Sequence, residues 1–136
     1  MSEDRPPPDG FAPHFRKSRV TDAWEPLFSR RTGEAVQIGL YVGEMHCNSR
    51  GFLHGGVIAA LADNAMGLSC VAALAEPPRG LVTVGLTVDY VGAAKIGQWL
   101  QIEPRVLRAG KSLAFADALV TADGGVIARA SASFKV

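Results

Sequence analysis

Residues 47–70 read CNSRGFLHGGVIAALADNAMGLSC, and the interpretation of this stretch decides the fold. A polar, glycine-rich turn from His46 to His54 runs into a segment that is apolar almost throughout. The segment predicts a helix from about Gly55 to Ala75, stopped by Pro77 and Pro78. A helix that is apolar nearly all round belongs in a core. Asp63, with Asn64 beside it, is therefore out of place. Its neighbours Leu61, Ala62, Ala65, Met66 and Leu68 leave no evident polar face, and Ser69 is the only other polar side chain nearby. An ionised carboxylate in such surroundings must be hydrogen-bonded, or its pKa rises. A buried, tunable carboxylate suits a general base or a nucleophile. The plainer alternative is a helix aspartate that faces water.

Outward from this helix, apolar residues alternate. In EAVQIGLYVGEM, Val36, Ile38, Leu40 and Val42 share one face, which predicts a half-buried strand. AWEPLFSRR precedes it as a partner strand, turning at Thr32–Gly33, with Pro26 forcing that partner to an edge or a strand end. After the helix, LVTVGLTVDYVG sets Val82, Val84, Leu86, Val88 and Tyr90 against Thr83, Gly85, Thr87 and Asp89. Two long strands follow, turning at Ala109–Gly110. The Asp123–Gly124 hairpin signal then leads to a last strand, with Ala128, Ala130, Ala132 and Phe134 on one face. The expected class is α+β: two strands, one long helix, then a four-strand meander, in a mostly antiparallel sheet of about six. The economical arrangement wraps the sheet around the helix. One sheet cannot cover such a helix fully, so a second subunit is expected to complete the cover.

The chain has 136 residues, enough for one domain with a single core. Residues 1–13, with Pro6, Pro7 and Pro8, are expected to form a mobile tail, and 14–136 the domain. Apolar residues make up 48% of the chain, and the formal net charge is +1. No run of Lys or Arg suggests a nucleic-acid or anionic-lipid partner. Residues 57–75 are about long enough to span a bilayer. Asp63 and Asn64 would then sit in hydrocarbon, so a soluble core helix is expected. The opening residues are acidic and proline-rich and lack a signal peptide's apolar core. Cys47 and Cys70 form no CxxC pair, which points to a reducing, cytoplasmic location. His46, Cys47 and His54 fit no standard metal spacing, so no metal is expected. Nothing places a base beside Cys47 to make it a nucleophile.

Gly55 and Gly56 open the helix, so their amides belong to the unsatisfied N-terminal set at the positive end of the dipole. Such a site favours an oxyanion or an anionic ligand, and glycine lets that ligand approach closely. The glycines could also serve only a tight turn. Asp63 lies eight residues on, roughly 12 Å along the axis at about 1.5 Å per residue. One substrate carbonyl cannot touch both the Gly55 amide and Asp63 of the same helix. Two antiparallel helices, each lending its N-terminus to the other's Asp63, would allow it.

The strand order and the motif NSRGFLHGGVIAALAD resemble hotdog-fold acyl-CoA thioesterases of the phenylacetate-pathway type. The matching positions are Asn48, Gly51, His54, Gly55, Gly56 and Asp63, and the likeness continues through VTVGLTVDYVGAAKIGQ to the C-terminal strands. It covers roughly residues 24–136. The resemblance implies thioester hydrolysis of an aromatic or short- to medium-chain acyl-CoA. Its active sites would lie between paired protomers, in homodimers assembling to homotetramers. Gly55 would polarise the thioester carbonyl, and Asp63 of the partner would activate water or attack directly. Asn48 and His54 would orient the carbonyl or the water. Thr83 falls where relatives carry a serine that assists the water. The coenzyme-side candidates are Gly56 and the turn carrying Arg108, Lys111 and Ser112, which matches the family's Gly-Lys-Ser/Thr turn near the nucleotide. Arg50 is a weaker one. No cofactor is implied, since coenzyme A enters with the substrate. Two other readings compete. A hotdog hydratase or dehydratase spaces its histidine and acid differently, and a non-catalytic acyl-CoA-binding module would not need the Asn48, His54, Gly55 and Asp63 set.

Overall fold

The alternating segments become strands of one sheet, and the apolar segment becomes the helix that the sheet wraps. The computed structural model describes residues 5–33 and 35–136. In chain order the elements are β1 (Ala12–Pro13), α1 (Arg19–Asp22), β2 (Phe28–Thr32), β3 (Ala35–Tyr41), a 3-10 turn (Glu44–His46), α2 (Gly55–Ala73), β4 (Val82–Tyr90), β5 (Trp99–Ala109), β6 (Leu113–Ala122) and β7 (Gly125–Lys135). The sheet has seven strands in the order β1-β2-β3-β5-β6-β7-β4, every pair antiparallel. This is the expected hotdog architecture, with one strand more than anticipated.

The core is the inner face of the sheet against α2. Ile38, Leu40, Leu61, Met66, Leu100, Ile102 and Val120 are fully excluded from solvent. Each such side chain contributes about 1.5–3 kcal/mol of burial. The β6–β7 turn bears out its signal: Asp123 and Gly124 both have positive φ, as a two-residue hairpin loop requires. Helix α2 buries one stripe (Val57, Ile58, Leu61, Ala62, Ala65, Met66, Ser69, Cys70) at helical spacing. Ser69 has a local purpose: its hydroxyl donates to the Ala65 carbonyl at 2.7 Å and accepts the Val36 amide at 2.9 Å, tying α2 to β3.

Three expectations are corrected. The last four strands are not a simple meander. β5, β6 and β7 follow one another through tight turns, but β4 pairs only with β7, at the far edge. The 91–98 connection is too long for a hairpin and carries the chain back to β3, beside which β5 lies. Second, the alternation in β4 is broken. Thr83 pairs with Phe134 but Gly85 pairs with Ser133, so Val84 is an extra residue in a bulge. The bulge moves Thr83 onto the inner face with Leu86, Val88 and Tyr90, opposite to what strict period two predicts. Third, residues 5–13 are docked rather than tail-like. Phe11 is buried edge-on against Trp99 at 5.1 Å, Ala12 and Pro13 pair with β2, and the Tyr41 hydroxyl donates to the Pro6 carbonyl at 2.8 Å. An aromatic platform on the sheet supplies apolar area that a proline-rich segment can cover without hydrogen bonds of its own.

Candidate active site

Two groups of residues lie at opposite ends of β4. The first is built by the loop before α2. Asn48 Oδ1 accepts the Arg50 and Phe52 amides at 2.9 and 3.2 Å, closing a turn in which Gly51 has positive φ. The Asn48 backbone amide donates to the Phe52 carbonyl at 2.8 Å, whereas its side-chain Nδ2 has no acceptor among the described residues. His46 pins this loop from below. Its Nδ1 accepts the Gly43 amide and its Nε2 donates to the Trp24 carbonyl, both at 2.9 Å, while its own carbonyl accepts the His54 amide at 2.8 Å. Burial lowers the pKa of His46, partly offset by its bond to Trp24.

His54 is the N-cap of α2. Its Nδ1 accepts the Gly56 amide at 2.8 Å, which assigns the neutral ring's proton to Nε2 and aims that donor outward. The Gly56 amide is therefore taken up inside the cap. The Gly55 amide has no acceptor among the described residues. It is an open donor at the positive end of a 19-residue helix. The glycines are dictated by close approach. A Cβ on Gly56 would lie 2.9 Å from His54 Nδ1, and one on Gly55 would lie 3.1 Å from Tyr90 Cζ. Tyr90 donates its hydroxyl to the Gly55 carbonyl at 2.6 Å and so braces the first turn. The sequence offers no local sign of this role.

The second group is Asp63 with Thr83. The Thr83 hydroxyl donates to Asp63 Oδ1 at 2.7 Å, which leaves Oδ2 without a partner among the described residues. The β4 bulge makes this bond possible. Asp63 is half-buried on the side of α2 that the sheet leaves open, not within the core. It lines a cleft of about 380 Å³ with Asn64, Gly67, Leu68, Val71, Leu81 and Phe134, together with Arg16 and Arg79. Asn64 is held from the other side, its Oδ1 3.0 Å from Nε2 of the buried His14. A larger cavity of about 570 Å³ lies on the outer face of the sheet. Ion pairs Arg105–Asp117 and Arg129–Asp89 span it, and it reaches none of these groups.

Across the sheet, Thr83, Phe134, Ala114 and Ala109 stand in register. The turn with Lys111 and Ser112 therefore projects from the same end as Asp63 and Thr83, with Arg108 just before it. All three residues are exposed. Asn48, His54, Gly55 and Tyr90 gather at the opposite end of β4. One chain thus brings Asp63 to Thr83 but keeps both from the Gly55 donor. No cluster of three or more metal-ligating side chains occurs among the described residues. Cys47 donates weakly to the Gly43 carbonyl at 3.3 Å, and burial followed by the nearby Glu44 raises its pKa, so it is a poor nucleophile.

Residues 50–128 match the family model described as the Thioesterase superfamily. The chain is 39% identical to a putative esterase of Pseudomonas aeruginosa over 130 residues, 95% of this chain and 96% of that protein. It is 37% identical to human acyl-coenzyme A thioesterase 13 over 107 residues, 76% of this chain and 73% of the relative. A solved Streptococcus mutans structure bound to acetyl CoA superposes with a TM-score of 0.69 at 27% identity, covering 76% of this chain and 81% of that one.

Proposed function

The chain belongs to the thioesterase superfamily, and we propose that two copies pair edge to edge along β4 to build two acyl-CoA thioesterase sites. The observation that carries this reading is the placement of an open Gly55 donor and an Asp63–Thr83 pair at opposite ends of one unpaired edge strand. Strand β4 presents nine residues of backbone with no neighbour on one side. Val82, Val84, Leu86 and Tyr90 on it are between 40% and 59% exposed. A long apolar edge of this kind is a template for another strand. Antiparallel pairing of β4 with its own copy about Leu86–Thr87 sets Thr83 of one chain opposite Tyr90 of the other. That register brings each Asp63 to the other chain's Gly55.

In such a site the Gly55 amide polarises the thioester carbonyl, with the outward Nε2 of His54 and the side-chain Nδ2 of Asn48 beside it. Thr83 holds one oxygen of Asp63, and the free oxygen draws a proton from water as that water attacks the carbonyl carbon. The oxyanion that forms is met by the Gly55 donor; its collapse breaks the C–S bond, and the proton taken up by Asp63 passes to the leaving sulfur, releasing the acid and the thiol. Lys111, Ser112 and Arg108 stand as coenzyme phosphate contacts at the Asp63 end. The apolar cleft wall of Leu68, Val71, Leu81 and Phe134 suits an aromatic or short- to medium-chain acyl group. Exposed Leu107, Phe115 and Leu119 on the outer sheet face support further assembly to a homotetramer, and two free cysteines support a cytoplasmic location.

The test is thiol release from a panel of phenylacetyl and medium-chain fatty acyl-CoAs. Asp63→Asn should lower kcat by about 1,000-fold. Full turnover by this variant would overturn the assignment. Binding of acyl-CoA without turnover by the native chain would favour a binding module instead.

A further inference from the structure

We propose that the cleft beside Asp63 binds an anionic group of the thioester substrate through Arg16 and Arg79. The inference rests on the reading of Asp63 as the catalytic carboxylate and goes beyond it by assigning charge to what lies next to it. The cleft joins segments far apart in sequence: Asp63, Asn64, Gly67, Leu68 and Val71 from α2, Thr83 from β4, Phe134 from β7, Arg16 from the segment before α1, and Pro77 to Leu81 from the loop after α2. Two arginines therefore line one cleft from separate parts of the chain.

Neither arginine has a hydrogen-bond or ion-pair partner among the described residues, whereas Arg30, Arg105 and Arg129 each do. The rest of the cleft is apolar or neutral apart from Asp63, so its formal charge is positive by one. That sign matters for the chemistry. A substrate anion would be repelled by the Asp63 carboxylate, and two cations reverse the sign of the local field. Arginine also offers a planar fork that accepts a carboxylate or a phosphate through two parallel bonds.

The backbone that carries each arginine is anchored. Two residues before Arg16, His14 is 2% exposed, its amide donates to the Leu27 carbonyl at 2.9 Å and its ring meets Asn64 at 3.0 Å. Arg79 follows Pro77 and Pro78, whose fixed φ angles limit the conformations of that loop. The group recognised is an oxyanion, with two possible sources: a carboxylate at the far end of the acyl chain, or a phosphate of coenzyme A.

The experiment measures kcat/KM for matched substrates with the native protein and with the Arg16→Gln, Arg79→Gln and double variants. One pair is an ω-carboxyacyl-CoA against the methyl-terminated acyl-CoA of equal length. The other is a single acyl group carried on CoA against the same group on pantetheine, which lacks the nucleotide phosphates. The double variant should lower one of the two ratios by about tenfold, and added salt should lower that ratio for the native protein. A fall in the first ratio places the anion on the acyl chain; a fall in the second places it on the coenzyme. If neither ratio moves in a double variant with native circular dichroism and thermal midpoint, the proposal is overturned. Its failure is separable from failure of the catalytic assignment, which Asp63→Asn reports on the methyl-terminated substrate alone.

Discussion

A single hydroxyl decides how Asp63 is presented. The Thr83 bond at 2.7 Å occupies one carboxylate oxygen and turns the other toward the cleft. Replacing Thr83 with Val keeps the shape and removes the donor, so kcat should fall about 10- to 100-fold, the value of one hydrogen bond to a charged group. Thr83→Ser should retain most of the rate. Equal rates for the Val variant and the native protein would show that the hydroxyl is a bystander. Lys111 belongs to the same end of the sheet but lies far from the reacting carbonyl. Lys111→Ala should therefore raise KM more than it lowers kcat, and an unchanged KM in steady-state kinetics would remove it from the coenzyme contacts. Both residues stand out in the sequence by motif. The bond between Thr83 and Asp63 does not, because strict alternation puts Thr83 on the wrong face until Val84 bulges.

The loop before α2 depends on a neutral imidazole. His46 accepts through Nδ1 and donates through Nε2, an arrangement that only the uncharged ring allows. Burial lowers the pKa of both His46 and His14 below the ordinary histidine value. The folded chain thus refuses protons that the unfolded chain accepts below about pH 6.5. Stability is intact above that value, declines as pH falls through the window below it, and levels off once the lowered folded values are passed. The thermal midpoint should drop between about pH 7.5 and about pH 5.5. His46→Gln should be less stable at the higher pH yet lose less between the two, as read by circular dichroism melts. An equal loss would mean that His46 does not carry the effect. The helix after the loop was legible from composition. Its open side was not, because an apolar sequence does not say which face the sheet will leave uncovered.

At the scale of the whole molecule, the proposed site divides between two chains. Asp63 and Gly55 are separated by about 12 Å of helix and braced by opposite ends of β4. Mixing two inactive variants tests the pairing. In a heterodimer of Asp63→Asn with His54→Ala, one site collects both defects and the other collects none. Random reassembly of equal amounts should restore about a quarter of native activity. No recovery, with heterodimers demonstrated by mass spectrometry, would place each complete site within one chain. The expectation that a second subunit covers the helix came from its apolar circumference. The proposed pairing of a second copy along β4 arose only when that strand was found at the edge rather than inside a meander.

The sequence by itself determined the α+β class, the long helix and the six main strands, and the inward residues of β3 and β7, and it singled out Asn48, His54, Gly55 and Asp63 as candidates. These follow from period-two and helical patterning and from a motif contained within a few turns of chain. Only the tertiary structure decided that Thr83 faces Asp63, that Tyr90 braces Gly55, that His54 consumes the Gly56 amide, and that residues 5–13 lie against an aromatic platform. Each of these joins segments remote in sequence or turns on a one-residue change of register. Local pattern is blind to both, because the energy that settles them comes from which surfaces meet after the elements have formed.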